Sequence, residues 1–223
     1  MNYTLVRSNR KTCAIHIRDN AVEVRAPLWM PKADIDRFVA SKESWIAEKL
    51  AVSAALAEQR ADFSLSYGGT VLYRGEDCPI IAKPGRYIGL SEDGFYMPSG
   101  LSSDSVKSAC VQIYRLSAKA VLTEKAYSFA ERMDVYPAAI KINGAKTRWG
   151  SCSTQKSINF SWRLMMAGDP VIDYVAVHEL AHLKEMNHSP RFWAVVERVL
   201  PDYNERRKEL KALQARLRTE DWD

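Results

Sequence analysis

The sequence predicts an α+β fold for this chain of 223 residues, with a β-rich amino-terminal region carrying a long helix and a second half in which a short sheet meets several helices. Three observations predict it. Short runs that alternate apolar and polar side chains fill the first thirty residues and recur, cut by glycine and proline, between Phe63 and Met97. Two long segments, Pro31 to about Glu58 and Ser105 to about Met133, repeat apolar residues at helical spacing. From Asp169 to Leu183 apolar residues surround the helix on nearly every side, the pattern of a buried helix.

Tyr3 to Val6, Cys13 to Ile17 and Val22 to Arg25 read as strands of a small antiparallel sheet, with Asp19 and Asn20 turning between the last two. Ile35, Phe38, Val39, Trp45, Ile46 and Leu50 then define one amphipathic helix, with Trp45 in its packed face. Gly68-Gly69, Gly75, Pro79, Pro84-Gly85, Gly89 and Gly94 divide the following stretch into hairpins. Pro98 to Ser103 has the composition of a linker. The chain is therefore expected to divide into domains at 1–100 and 101–223.

In the second half, Val106, Ala109, Cys110, Ile113, Leu116, Ala120, Val121 and Phe129 mark the buried stripe of a long helix. Ala139 to Ile142, Lys146 to Ser151 and Ser157 to Trp162 read as strands. Asp169 and Pro170 are an N-cap and first-turn pair, and Ser189 with Pro190 repeats that signal for a helix to Leu200. Asp202 and Glu205, at capping-box spacing, open a last helix to about Arg218.

Lysine plus arginine number 32 against 27 acidic residues, a formal charge of +5. That excess admits an anionic substrate without requiring one. The basic stretch 191–218 has the composition of a solvated helical face, with a nucleic-acid footprint as the alternative. Four cysteines, Cys13, Cys78, Cys110 and Cys152, contain no C-x-x-C pair, so neither a disulfide framework nor a zinc knuckle is indicated and reduced thiols in a cytoplasm are expected. No run approaches 18 apolar residues, and Arg7, Arg10 and Lys11 are followed by no apolar stretch, so neither a membrane span nor a signal peptide is expected.

Three of the four histidines fall within His178-Glu179-Leu180-Ala181-His182-Leu183-Lys184-Glu185-Met186-Asn187-His188. Residues four apart share a helix face, so His178 and His182 can aim at one ion, while Glu179, about 100° round the axis, flanks it where a general base belongs. His188 sits in the turn before the next helix, from which it can fold back. Three neutral nitrogen donors with an open fourth position describe a catalytic zinc site, in which a metal-activated water and Glu179 carry out hydrolysis. Unpaired imidazoles and a carboxylate buried on such an apolar helix would otherwise be costly. Glu185 stands where the metzincin pattern requires glycine, and no methionine follows Met186, so that clan is excluded.

Upstream, Thr147-Arg148-Trp149-Gly150-Ser151-Cys152-Ser153, with Ile158 to Trp162 and hence Asn159, is a candidate wall for an extended substrate bound by strand addition. Arg148 or Arg163 has two readings: stabilisation of developing negative charge in the transition state, or a salt bridge that orients the loop. Trp149 and Trp162 serve as packing residues or as stacking surfaces for substrate. Cys152, as a fourth ligand, would close the site.

With these residues assembled, the chain resembles the YgjP-like metal-dependent hydrolases, relatives of the SprT-like and WLM zinc peptidases. The resemblance rests on T-R-W-G-S-C-S at 147–153, I-N-F-S-W-R-L at 158–164, V-I-D-Y-V-A-V-H-E-L-A-H-L at 171–183, N-H-S-P-R-F-W at 187–193 and L-P-D-Y at 200–203. It implies a minigluzincin-like zinc hydrolase domain, one zinc ion per chain on His178, His182 and His188, and Glu179 as the catalytic carboxylate. Family labels divide between peptidase and nucleotide pyrophosphatase. The expected reading is a cytoplasmic zinc metallopeptidase in which Glu179 activates water, Arg148 assists, and Trp149, Asn159 and Arg163 contact a peptide or protein. Two alternatives stand beside it: hydrolysis of a nucleoside triphosphate of the UTP type, its phosphates gathered by Lys146, Arg148 and Arg163, and a nucleic-acid-associated module stapled by structural zinc.

Overall fold

The computed structural model describes residues 2–18 and 20–222. Among these the chain forms an α+β architecture of six α-helices and three small sheets, divided by its contacts into two compact units. No described helix is long and apolar enough to cross a membrane.

The first unit comprises residues 1–63 with 217–221. Strands β1 (Thr4–Ser8), β2 (Ala14–Arg18) and β3 (Ala21–Pro27) pair in the order β1-β3-β2, with β1 parallel to β3 and β2 antiparallel to it. The sheet is therefore mixed rather than antiparallel, because alternation sets which face a strand buries and leaves its partner open. Asp19 of the expected turn lies outside the described residues. Two helices, α1 (Lys32–Ala40) and α2 (Glu43–Ala61), replace the single one expected. The chain breaks at Ser41, whose hydroxyl donates back to the Phe38 carbonyl at 2.7 Å, a local bond that competes with helix continuation. Val22, Val24 and Ala26 pack with Ile35, Val39 and Ile46 in the core, while Trp45, expected there, is 42% exposed.

The second unit, residues 64–216 with Trp222, begins with β4 (Thr70–Tyr73), β5 (Glu76–Lys83), β6 (Gly89–Ser91) and β7 (Gly94–Pro98), ordered β4-β5-β7-β6. The β4/β5 and β6/β7 hairpins are antiparallel as expected, and β5 and β7 join them in parallel. The segment 98–103 forms the turn into helix α3 (Ser103–Met133), where the Ser102 hydroxyl accepts from the Ser105 amide at 3.3 Å. Phe95 of β7 lies 5.0 Å from the Tyr114 ring of α3, and Tyr114 stacks on Trp162 at 5.4 Å, so sheet and helix share one core. The chain divides at Phe63/Ser64, and the 64–98 sheet packs with the half that follows it. Leu116, assigned to the buried stripe of α3, is 65% exposed.

Strands β8 (Ala139–Asn143), β9 (Gly150–Cys152) and β10 (Ser157–Ser161) form the third sheet, ordered β8-β10-β9. Only Gly150 and Ser151 of the expected 146–151 strand pair, the observed strand running on to Cys152, and 144–149 is an irregular loop. A short 3-10 turn at Trp162–Met166 leads to α4 (Asp169–Ala181), followed by α5 (Pro190–Val199) and α6 (Tyr203–Arg216).

The β4/β5 loop fixes the entry to α4. Arg74 and Gly75 have φ of 52° and 88°, and a Cβ at Gly75 would lie 3.0 Å from the Gly168 Cα, so glycine is needed both for the turn and for its docking. The docked loop places the Arg74 Nε 2.9 Å from the Asp169 carboxylate in the first turn of α4, and Lys125 of α3 reaches Asp173 at 2.7 Å. Arg74 holds the Asp169 carboxyl below the usual carboxylate range. Its stabilisation is thus present above the unfolded pKa of about 3.9 and is lost as pH falls through the lower folded value. Asp169→Asn is expected to lower Tm by about 1–3 °C near neutrality, because the pair is partly exposed, and the difference from the parent is expected to shrink as pH falls through the lowered folded pKa, as read by thermal unfolding across pH.

Candidate metal centre

Helix α4 is buried nearly all round, and its last turn carries His178 and Glu179, with His182 at the C-cap. The chain then turns through 183–188 until Ser189 caps α5, its hydroxyl accepting from the Phe192 amide at 3.3 Å. This cap brings His188 back over α4. The ligand nitrogens of His178, His182 and His188 lie within 4.8 Å of one another, and the His178 and His188 Nε2 atoms are 3.0 Å apart. Donors on one tetrahedral zinc ion would be spaced by roughly 3.3 Å.

Hydrogen bonding prepares these rings to act as ligands. The His182 Nδ1–H donates to the Glu185 carbonyl at 3.3 Å, which leaves Nε2 with its lone pair, and Nδ1 of His178 lies 3.5 Å from the Tyr174 hydroxyl. Phe192, fully buried, has its ring centroid 4.6–4.9 Å from those of the three imidazoles and forms an apolar floor beneath them. Burial first, and then the neighbouring histidines and Arg207, push the His178 pKa down to about 3; His182 is lowered chiefly by burial. Both are therefore neutral near pH 7, as metal ligation requires. The three-histidine donor set fits a divalent ion, and no fourth histidine, cysteine or carboxylate joins it among the described residues.

Glu179 is 6% exposed, and burial raises its pKa to about 8 against the opposing pull of Arg148. Its carboxylate passes directly over the backbone of β9. A Cβ built on Gly150 would stand 2.6 Å from the Glu179 Cγ and Oε1, so only glycine permits this approach. Glu179 and His178 line a cleft of about 290 Å³, whose walls are Arg148, Trp149 and Gly150 on one side and Arg207, Leu210, Lys211 and Gln214 of α6 on another.

A model of the YgjP-like metallopeptidase domain matches residues 11–213. The chain belongs to the YgjP-like family. It is thus a hydrolase of metallopeptidase type, a class that works with a metal ion. No curated protein sequence matches it. Among solved structures it is similar to the crystal structure of the metallopeptidase zymogen of Pyrococcus abyssi abylysin, at 20% identity over 44% of this chain and 97% of that one, with a TM-score of 0.38.

The YgjP-like site gathers some of the residues expected from sequence and leaves others out. His178, His182, His188, Glu179, Arg148 and Trp149 come together. Asn159 does not: it lies in the central strand β10 opposite Ser151, whereas Gly150, which meets Glu179, is opposite Phe160 on the other face. Arg163 is also elsewhere, 8% exposed, its Nη1 donating to the Gly144 carbonyl at 2.7 Å and its guanidinium 4.6 Å from the Trp162 ring. It holds the 144–149 loop, and Trp162 is a core residue at 1% exposure. Cys152 lies close enough to Glu179 for that charge to raise its thiol pKa, after burial, but stands outside the histidine cluster. Of the edge strands, β9 borders the cleft and β8 lies across β10 from it.

Sequence reasoning did not find Phe192, the close approach at Gly150, or the contribution of α6 to the cleft. The available signals were a bulky residue directly after a capped helix start, a glycine beside an indole, and the i, i+4, i+7 spacing of Arg207, Lys211 and Gln214. Gly150→Ala is expected to force Glu179 or β9 aside and to cost about 1–3 kcal/mol in denaturant unfolding; a variant as stable as the parent would show that the carboxylate can retreat freely.

Proposed function

We propose that the chain is a zinc-dependent peptidase of the minigluzincin kind, holding one zinc ion on His178, His182 and His188 and using Glu179 as general base. The observation that carries this reading is the convergence of three imidazole donors within 4.8 Å beside a buried carboxylate at the floor of an open cleft. Bound there, zinc would polarise the scissile carbonyl and bring the pKa of a bound water to about 7.

The remaining steps fall to side chains of this chain. Glu179 accepts the proton of the attacking water at its carboxylate and delivers it to the departing amine. Its desolvated setting raises its basicity, which suits it to both transfers. Arg148, whose charge offsets part of that desolvation, favours the ionised form of the carboxylate and meets negative charge developing on the substrate. Edge strand β9 offers main-chain groups to an extended peptide, with Trp149 beside it. The four free cysteines are consistent with a reducing, cytoplasmic setting.

Glu179→Gln should retain one zinc ion by metal analysis while peptide hydrolysis falls by about a hundredfold or more; a fully active variant would end the assignment. His188→Ala should lose zinc under the same analysis. Adding zinc to metal-free parent protein should raise its Tm, and should not raise that of the His188 variant.

A further inference from the structure

We infer that Arg207 and Lys211 of α6 form a carboxylate-binding subsite beside the metal centre, so that the preferred peptide carries an acidic side chain, or its own terminal carboxylate, close to the scissile bond. This rests on the peptidase reading above and names the substrate class for it.

The two cations lie one helical turn apart on the face of α6 that lines the cleft shared with His178 and Glu179. Among the described residues neither has a carboxylate within ion-pair distance, whereas other arginines of α6 are matched: Arg206 to Asp202 at 2.8 Å and Arg216 to Asp77 at 3.8 Å. Glu179 is the sole carboxylate in the cleft lining, and Arg148 stands on its side of the cleft. The charge on the α6 wall is therefore left for a ligand.

Arg207 is also held in place. Its guanidinium sits 5.2 Å from the Trp193 ring, and Trp193 stacks on Tyr203 at 5.3 Å with an interplanar angle of 19°. The same indole lies 5.9 Å from His178 and 5.8 Å from His188. One shelf thus positions both the metal-binding rings and the arginine, which fixes the cation at the reacting end of the cleft. Lys211 adds a flexible point charge roughly 5–6 Å further along, a spacing that lets one carboxylate accept from both residues. Leu210 and Tyr174 supply apolar surface for the methylenes of a glutamate.

The test uses zinc-loaded Glu179→Gln protein, which should bind peptide without consuming it, and four rhodamine-labelled peptides read by fluorescence anisotropy. They share one sequence and carry Glu or Gln beside the central bond, with a free or amidated C-terminus. Glu, or the free acid, should bind about tenfold tighter than its neutral counterpart, and the arm that shows the difference identifies the source of the carboxylate. Combining Arg207→Gln with Lys211→Gln should abolish the preference, and Lys211→Glu should reverse it, in proteins whose Tm and zinc content match the starting protein. Equal binding of all four peptides, or a preference that survives both substitutions, would overturn the subsite. So would an oligonucleotide that displaces the acidic peptide at lower concentration than unlabelled acidic peptide does. Preference without cleavage by the parent protein would sustain the subsite and overturn the peptidase reading; cleavage without preference would do the opposite.

Discussion

Helix α4 buries almost every side chain it has, and the polar groups in its last turn must be reconciled with that burial. Desolvation favours the neutral forms of His178 and Glu179, driving one pKa down and the other up. The surroundings answer each group separately. Tyr174, the Glu185 carbonyl and the Phe192 ring hold the imidazoles with their nitrogens converging, while β9 comes so close to Glu179 that residue 150 has room for no side chain. The elements around α4, namely the α5 cap, the third sheet and the α6 wall, are arranged to receive those groups.

Burial of α4 also explains the attention given to its first turn. A helix that must hold a carboxylate 2.6 Å from where a Cβ would stand on a strand has little freedom to slide along its axis. The Arg74–Asp169 pair, the close packing of Gly75 on Gly168 and the Lys125–Asp173 pair fix its start from two different elements. Each is modest in energy because each is partly solvated. Together they set axial register, and their value lies in geometry more than in stability.

Much of the site was legible in the sequence because its signals are local. The H-E-x-x-H spacing maps onto one helix face, and Ser189-Pro190 announces a helix start that must place His188 in a turn. The features that were missed depend on tertiary structure. Asn159 and Gly150 come from neighbouring strands of one sheet, and which face each residue shows depends on the β9/β10 register, which no local pattern specifies. Pro98 to Ser103 carries the polar, glycine-containing composition of a linker because a turn ending in a serine N-cap needs the same residues. The apolar pattern at 31–58 suits two helices as well as one, and only the Ser41 back-bond tells them apart. Arg163, which the sequence reads either as a stabiliser of developing negative charge or as a loop-orienting salt-bridge residue, is buried against Trp162 with its guanidinium on the Gly144 carbonyl, a tertiary placement that no local pattern specifies.

Strand β9 is an edge of three residues, ending where the chain turns at Ser153. So short an open edge makes a poor template for lateral growth, since a neighbouring molecule adding to it would gain only a few main-chain bonds before running off the end. The molecule can therefore keep an unpaired strand beside its cleft without the colloidal hazard that a long one at that place would bring.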